Sequence, residues 1–173
     1  MANWNLIRAS FSVLLNTMPI GNIVGVEIGV DKGENAKLML ENCSRINLIL
    51  VDIVEQPQMV EVIKPYLDRV EFIKDASVNA AKRFPDNHFD YIYIDGDHSY
   101  KGVGEDIEAW YPKIKTGGIF AGHDFWMTEV QQALKEFCLK NPQPLYAVQR
   151  LYQTYMIPQA DAEFMDWWLK KYD

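Results

Sequence analysis

The sequence has too few cysteines and too little positive charge for several common classes of protein. Cys43 and Cys138 are its only cysteines, and both lie in apolar segments of helical period, so neither a disulfide framework nor a cysteine-rich zinc site is predicted. The formal net charge of -7 argues against a Lys- and Arg-rich surface for sequence-independent binding of nucleic acid. We therefore expect no nucleic-acid partner.

Long apolar runs are also missing. No stretch approaches the roughly 20 apolar residues that cross a bilayer, and no basic segment followed by a signal-type apolar run begins the chain. We therefore expect a cytoplasmic protein without a membrane partner. Repeats, low-complexity tracts and Gly/Ser linkers are absent as well, so residues 1–173, 49% of them hydrophobic, are predicted to form a single domain.

Short runs rich in Val, Ile, Tyr and Phe alternate with longer segments of helical period, a pattern typical of βαβ units. Several runs are too continuously apolar to leave one face in water, which indicates a parallel sheet covered by helices on both faces. Strands are predicted over residues 23–28, 46–53, 70–73, 89–94 and 118–121. Helices are predicted over residues 34–41, 58–67, 78–84, 103–111 and 128–139.

The two ends of the chain are predicted to complete this fold. The N-terminal segment 1–20 carries apolar residues at helical spacing over residues 5–16 and is expected to pack on the sheet as a helix. In the closing segment 143–173, residues 145–148 and 151–157 resemble an antiparallel strand pair before a terminal helix that bears Trp167 and Trp168. These aromatic rings indicate an apolar C-terminal surface that favours a homodimer.

Ligands of such open sheets bind outside the carboxyl ends of the strands, where the strand order reverses. The first strand ends at Glu27 and Ile28 and turns through Gly29 and Gly33, which allow a ligand to approach the backbone closely. The dinucleotide pattern G-x-G-x-x-G is absent, and the G-x-x-x-G that is present also suits an ordinary tight turn.

Acidic residues end the next two strands. Asp52 lies about 20 residues beyond the glycine turn, where a carboxylate can accept hydrogen bonds from two ribose hydroxyls. Asp75 follows the third strand and can accept from an adenine amino group, while Ala76 offers its backbone amide. The competing interpretation is that these acidic residues only cap helices or form turns.

The densest polar group follows the fourth and fifth strands. Asp95, Asp97 and His98 come directly after one strand, and His123 with Asp124 after the next. Because neighbouring strand ends meet, we expect these side chains to lie together. Carboxylates with imidazoles can hold Mg²⁺ or Mn²⁺, and an imidazole can act as a general base. Alternatively, Asp97 or Ser99 caps the following helix and His123 only hydrogen-bonds a neighbouring loop.

These motifs resemble class I S-adenosylmethionine-dependent methyltransferases, especially a small bacterial group with I-D-G-D-H-S-Y after the fourth strand. The resemblance covers residues 23–126 and depends on four motifs that occur in the family's order, at Val26 to Gly29, Asp52, 89–98 and 117–124. It implies a Rossmann-like methyltransferase fold of the α/β class: a mostly parallel seven-stranded sheet, helices on both faces, and the last strand antiparallel.

The resemblance also implies site residues. Glu27, Gly29 and Gly33 would surround the methionine part of the cofactor. Asp52 would bind its ribose, and Asp75 with Ala76 would bind its adenine. Asp95 would lie near both the cofactor and a metal ion. Similar metal-dependent sugar and small-molecule O-methyltransferases take their metal ligands from positions that correspond here to Asp95, His123 and Asp124. A His three residues after the first Asp makes His98 the implied general base, with Asp95 as a second catalytic residue.

The reaction implied by this resemblance is transfer of a methyl group from S-adenosylmethionine to a hydroxyl oxygen of a small molecule or sugar, assisted by Mg²⁺ with His98 as base. Two alternatives stay open. One is a methyltransferase-like module that binds the cofactor without turnover. The other is a Rossmann-type NAD-binding protein, which the missing dinucleotide pattern disfavours.

Overall fold

The computed structural model describes residues 8–18, 21–149 and 165–172, which form one sheet with helices on both faces. The strands are β1 (Ile23–Ile28), β2 (Ile46–Asp52), β3 (Val70–Lys74), β4 (Phe89–Ile94), β5 (Ile114–Gly122), β6 (Leu145–Gln149) and β7 (Met165–Lys170). The α-helices are α1 (Ala9–Thr17), α2 (Glu34–Asn42), α3 (Pro57–Ile63), α4 (Ser77–Ala81), α5 (Tyr100–Trp110) and α6 (Thr128–Lys140).

The seven strands lie in the order β3-β2-β1-β4-β5-β7-β6. Strands β1 to β5 pair in parallel, whereas β7 is antiparallel to both β5 and β6. The predicted α/β fold, with its mostly parallel sheet and antiparallel last strand, is therefore confirmed. The chain runs outward from β1 to β3 and then returns to place β4 on the other side of β1, so the strand order reverses between β1 and β4.

Helices bury both faces of the sheet. On one face, buried side chains of α1, α2 and α3 form a core cluster that includes Tyr91 and Tyr93 of β4. On the other face, buried side chains of α4, α5 and α6 form a second cluster that includes Ile92 and Ile94 of the same strand. All residues of β4 are consequently buried, which explains its uninterrupted apolar sequence. Within the described residues, no helix is long and apolar enough to cross a membrane.

The C-terminal strand corrects one prediction. Trp167 and Trp168 lie in β7 rather than in a terminal helix, and they are only 1% and 8% exposed. These two rings therefore belong to the core and do not form an exposed surface for a second copy. Because β7 inserts between β5 and β6 with both of its faces covered, it lacks the polar alternation that marks a half-buried strand. The strand predicted over residues 151–157 lies outside the described residues.

Strand β5 is longer than predicted. It begins at Ile114 rather than at residue 118, because Ile114 pairs with Phe89 of β4. Lys115, which interrupts the apolar run, reaches Asp90 with a distance of 2.7 Å between its Nζ and the carboxylate Oδ1. A charged residue is thus accommodated at the start of the strand by an ion pair with its neighbour.

One carboxyl group is buried inside the sheet. Glu27 of β1 is 1% exposed, and Asn35 donates a hydrogen bond of 3.1 Å to its Oε1 atom. Its buried Oε2 atom has no hydrogen-bond partner among the described residues. Burial raises the pKa of Glu27 to about 8, so the carboxyl group keeps its proton at neutral pH.

The raised pKa of Glu27 predicts a pH-dependent stability. Between the ordinary pKa of 4.5 and the folded-state pKa of about 8, the folded protein binds more protons at this site than the unfolded chain does. The free energy of unfolding should therefore fall as the pH rises through this window, by on the order of 4 kcal/mol from this group alone. Urea unfolding of the wild type and of Glu27→Gln, at several pH values between 4.5 and about 8, measures this fall in the free energy of unfolding. Parallel pH curves for the two proteins would contradict the assignment.

A glycine pair tests the packing of β5 against β7. A Cβ at Gly122 would overlap the Trp167 ring and lie 2.7 Å from the Ile94 carbonyl oxygen, whereas a Cβ at Gly104 of α5 meets nothing within 4 Å. We expect Gly122→Ala to lower the free energy of unfolding by about 1 to 3 kcal/mol through overpacking. Gly104→Ala should raise it by about 0.5 to 1 kcal/mol, because alanine is the better helix former. Urea unfolding of both variants distinguishes these outcomes.

Candidate active site

A cleft opens where the strand order reverses. It has a volume of about 660 Å³ and is lined by the ends of β1, β2 and β4 and by the loop after β3. A second cavity of about 350 Å³ shares Gly29, Asp31 and Asp95 with the cleft and extends to Glu27 and His98. The two spaces together run along the carboxyl edge of the sheet, where open α/β sheets bind ligands.

The glycine turn after β1 closes tightly against β4. Gly29 has a φ of 81°, and a Cβ on it would overlap the backbone carbonyl of Asp95. The Asp95 amide donates to the Ile28 carbonyl with a length of 2.7 Å, which fixes this approach. Gly33, also at positive φ, precedes α2. Both predicted glycines thus adopt conformations that favour glycine, and Gly29 lines the cleft directly.

Asp52 lies at the end of β2 and lines the cleft, as predicted. Its Oδ2 atom accepts from the amides of Val30 (2.8 Å) and Asp31 (3.1 Å), and its Oδ1 atom accepts from Val54 (2.9 Å). The carboxylate therefore holds the glycine turn in place. Since each carboxylate oxygen can accept about two hydrogen bonds, Oδ1 retains capacity for a ligand hydroxyl.

Asp75 and Ala76 also line the cleft but are engaged with their neighbours. Arg83 lies 2.6 Å from the Oδ2 atom of Asp75, and the Ala76 amide donates to Oδ1 over 2.8 Å. The hydrogen bond from Arg83 holds the pKa of Asp75 below its ordinary value. These contacts leave the Ala76 amide already bonded within its own loop.

Asp106 was not among the predicted site residues. It lies in α5, is 5% exposed and lines the cleft. Burial raises its pKa to about 6. A sequence signal for it exists, because Asp106 falls at helical spacing with Val103, Ile107 and Trp110, all on the buried face of α5. A carboxylate on an apolar helix face is the kind of exception that marks a site.

Four side chains after β4 and β5 form one cluster, as the sequence predicted. His98 Nε2 lies 2.8 Å from Asp124 Oδ2 and 3.3 Å from Asp95 Oδ1. His123 Nδ1 lies 3.5 Å from Asp95 Oδ1 and 3.3 Å from Asp124 Oδ1. Asp124 has a φ of 55°, and Trp126 donates to its carboxylate with a length of 2.9 Å. Asp97 lies outside this cluster and accepts from the Ser99 amide.

The cluster is close to electrically neutral when both rings are protonated. Hydrogen bonds with Asp124 and Asp95 raise the pKa of His98 to about 10. Burial opposes the charge on His123, but the same two carboxylates raise its pKa to about 9. Burial would raise the pKa of Asp124, yet the two rings hold that pKa well below its ordinary value. At neutral pH the cluster thus consists of two carboxylates and two imidazolium rings.

The donor atoms of this cluster also suit a divalent cation. Asp95, His98 and Asp124 each offer one ligand atom, and these three atoms lie within 4.8 Å of one another in the described part of the chain. The sequence-based set contained Asp95, His123 and Asp124, so the geometry places His98 where His123 was expected. Two carboxylates with an imidazole fit Mg²⁺ or Mn²⁺ in donor type, provided that His98 gives up its proton.

Arg8, at the start of α1, lines the second cavity beside Glu27 and was also missed by the sequence analysis. Its Nη1 atom lies 3.6 Å from Asp166 Oδ1. Its Nε atom is buried without a hydrogen-bond partner among the described residues. Two residues that line the cavity, Arg8 and Glu27, therefore each carry a buried polar atom without a hydrogen-bond partner among the described residues.

Comparison with known proteins gives this arrangement a family. A family model described as a methyltransferase domain matches residues 26–125, more than half of the chain. The R132 protein of Acanthamoeba polyphaga mimivirus, whose name states no activity, is 30% identical over 140 residues. That alignment covers 71% of this chain and 62% of the mimivirus protein, so the chain spans less than two thirds of its relative.

Solved structures share the fold at low identity. A SAM-dependent O-methyltransferase from Thermotoga maritima superposes with a TM-score of 0.69 and 15% identity, covering 95% of this chain and 65% of that one. An rRNA methylase from Streptococcus thermophilus gives a TM-score of 0.67 and 17% identity over 95% of each chain. The chain therefore belongs to the methyltransferase-domain family and has the fold of class I S-adenosylmethionine-dependent methyltransferases.

Proposed function

We propose that the protein transfers a methyl group from S-adenosylmethionine to a hydroxyl oxygen of a small molecule or sugar. The observation that carries this proposal is the position of the Asp95, His98, His123 and Asp124 cluster. Asp95 lines both the cleft and the second cavity, so a cofactor in the cleft ends beside paired carboxylates and imidazoles. Those groups can position and deprotonate a hydroxyl group.

The residues present fit the chemical parts of the cofactor. Asp52 keeps an acceptor for the ribose hydroxyls, and Gly29 lets the turn after β1 lie against the Asp95 backbone in the wall of the cleft. In the second cavity, the Arg8 guanidinium complements the carboxylate of the methionine part, and the Glu27 carboxyl group can accept from its ammonium group. When bound, S-adenosylmethionine supplies an electrophilic methyl group on a sulfonium ion.

His98 is the proposed general base. Its Nε2 atom faces Asp124 and Asp95, while its Nδ1 atom has no hydrogen-bond partner among the described residues. Asp124 thus orients the ring and leaves Nδ1 to take a proton. The ring must first lose its own extra proton, because its pKa is about 10. A further positive charge in the cleft favours that loss, since like charges disfavour the protonated ring.

A divalent cation is the proposed aid to this step, held by the carboxylates of Asp95 and Asp124, whose ligand atoms lie within 4.8 Å of each other. His98 stays outside the ligand set in this scheme, because an imidazole bound to a metal through Nε2 carries its proton on Nδ1 and cannot act as the base. Bound there, Mg²⁺ or Mn²⁺ would lower the pKa of a coordinated hydroxyl group. His123 keeps its contacts with both carboxylates and orients them. His123 therefore serves as a positioning residue in this scheme rather than as a ligand.

The proposed acceptor is small. Trp126 is 43% exposed and donates a hydrogen bond to Asp124. A sugar or aromatic ring can therefore stack on the Trp126 ring beside the cluster. The net charge of -7 supports a small acceptor over a nucleic acid. The rRNA methylase named above shares the fold at 17% identity, which carries no information about this acceptor.

Binding of the cofactor is the first test. Isothermal titration with S-adenosylmethionine should give micromolar affinity, and NADH should not bind. Asp52→Asn should weaken the affinity by about 10- to 100-fold, because it replaces a charged acceptor of the ribose. Asp86→Asn is the matched control, since Asp86 is exposed and pairs with Lys113 away from the cleft. Failure of the wild type to bind S-adenosylmethionine, with or without Mg²⁺, would falsify the proposed function.

Turnover tests the role of His98. Transfer of labelled methyl from S-adenosylmethionine to a panel of sugars and phenols should fall about 10²- to 10⁴-fold in His98→Ala, while cofactor affinity stays within about threefold. His88→Ala, outside both cavities, should retain the wild-type rate. An undiminished rate in His98→Ala would remove this residue from the mechanism. Cofactor binding without transfer to any acceptor, even with Mg²⁺, would instead favour a non-catalytic module.

Removal of divalent cations tests the metal separately. The rate after treatment with EDTA should fall at least tenfold and return when Mg²⁺ or Mn²⁺ is added. In Asp124→Asn the added ion should restore little activity, because one of the charged ligands is lost. A rate that EDTA leaves unchanged would show that the cluster works with protons alone.

A further inference from the structure

The roles proposed so far leave one buried carboxylate in the cleft unused. Asp106 is 5% exposed, yet it lines the cleft together with Gly96 and Ser77. Burying a carboxylate is unfavourable unless hydrogen bonds compensate it. Ser77 is its hydrogen-bond partner among the described residues. The carboxylate is therefore held at the cleft with part of its bonding capacity unfilled.

The hydrogen bonds behind Asp106 run in one direction. The Trp110 indole Nε1 is a donor only, and it donates to Ser77 Oγ over 2.9 Å. The single hydroxyl hydrogen of Ser77 is then left for Asp106 Oδ1, with which it forms a short hydrogen bond. Trp110 is fully buried, so this chain of bonds fixes the orientation of the carboxylate.

The second carboxylate oxygen faces the cleft. Asp106 Oδ2 would lie 3.8 Å from a Cβ built on Gly96, which itself lines the cleft at the end of β4. In the part of the chain that the structure describes, this oxygen has no hydrogen-bond partner. Although burial and the charges of Asp97 and Glu105 raise the pKa of Asp106, its value of about 6 leaves the group ionised at pH 7.5 or above.

The surroundings of Asp106 suit a flat, apolar ring. Ile53 and Val78 line the same cleft and are 68% and 37% exposed, although both are apolar. The sequence predicted that Asp75 accepts a hydrogen bond from the adenine amino group, but Asp75 is paired with Arg83. Asp106 is thus a buried acceptor in this region that keeps an oxygen open among the described residues.

We propose that Asp106 selects the adenine ring of the cofactor by accepting a hydrogen bond from its exocyclic amino group. This inference rests on the proposed function, because it takes S-adenosylmethionine as the occupant of the cleft. A purine with an oxo group at the same position would turn an oxygen lone pair toward the carboxylate, and the two would repel. The cleft therefore discriminates between a 6-aminopurine and a 6-oxopurine.

The fixed direction of the hydrogen bonds predicts a reversal in Asp106→Asn. Trp110 donates to one of the two lone pairs of Ser77 Oγ, and the hydroxyl hydrogen of Ser77 is directed at residue 106. We therefore expect the asparagine to turn its carbonyl oxygen to Ser77 and its NH₂ group to the cleft. An NH₂ group there repels an amino group and binds an oxo group.

Isothermal titration at pH 7.5 with S-adenosylhomocysteine and S-inosylhomocysteine tests the proposal. The wild type should bind the adenosyl compound at least about 30-fold more tightly than the inosyl compound. The inosyl compound would place its oxo oxygen against the buried Asp106 carboxylate, which cannot donate a hydrogen bond to it. Asp106→Asn should lower this ratio to below one, so that the inosyl compound binds more tightly than the adenosyl compound. Asp75→Asn, the same change at the half-buried cleft residue that pairs with Arg83, should leave the ratio unchanged. Thermal melting of each variant checks that it is folded.

The possible failures are distinguishable. No binding of either compound to the wild type contradicts the proposed function itself. Binding with the same ratio in folded Asp106→Asn overturns the role of Asp106 alone, and so does a shift of the ratio in Asp75→Asn. If Asp106→Asn does not fold, the wild type decides the question with the analogue that lacks a substituent at purine carbon 6. That analogue should bind about tenfold more weakly than S-adenosylhomocysteine, and equal affinity overturns the proposal.

Discussion

The ends of β1 and β4 meet so closely at Gly29 and Asp95 that a side chain does not fit between the two backbones. Gly29 supplies the positive φ that lets the chain turn there, and the Asp95 amide bonds to the Ile28 carbonyl. This contact lies at the reversal of strand order. Asp95 belongs to this contact, to the cleft, to the second cavity and to the cluster of Asp95, His98, His123 and Asp124. A shift of one strand end would therefore displace all three.

The electrostatics of the site follow from that closeness. Asp95 and Asp124 come from adjacent strand ends, and two carboxylates so near each other need positive partners. His98 and His123 provide them in the described structure. A metal ion or a cationic ligand would compete with the protons on these rings, because all three stabilise the same pair of charges. The site is consequently suited to chemistry in which a proton leaves as positive charge enters.

Much of the fold could be predicted because burial on both sides of a parallel strand leaves a continuous apolar run. The predicted bounds of β1 and β4 agree with the observed strands, and Asp52 lies where its strand end placed it. Trp167 and Trp168 were assigned to a helix because strand and helix are hard to tell apart when neither face is polar. In the same way, Asp106 escaped notice because nothing local says that the buried face of α5 also borders a cleft.

The sequence by itself determined the order of β1 to β5 with their intervening helices, the glycine turn and which polar side chains lie at these strand ends, since local periodicity and turn chemistry encode them. Only the tertiary structure decided how those side chains are paired. His98 rather than His123 completes the set of donor atoms with Asp95 and Asp124, and Arg83 engages Asp75 while Asp106 keeps an open oxygen. Such pairing depends on distances of a few ångströms between elements far apart in the chain, and these distances are set by packing across the whole sheet.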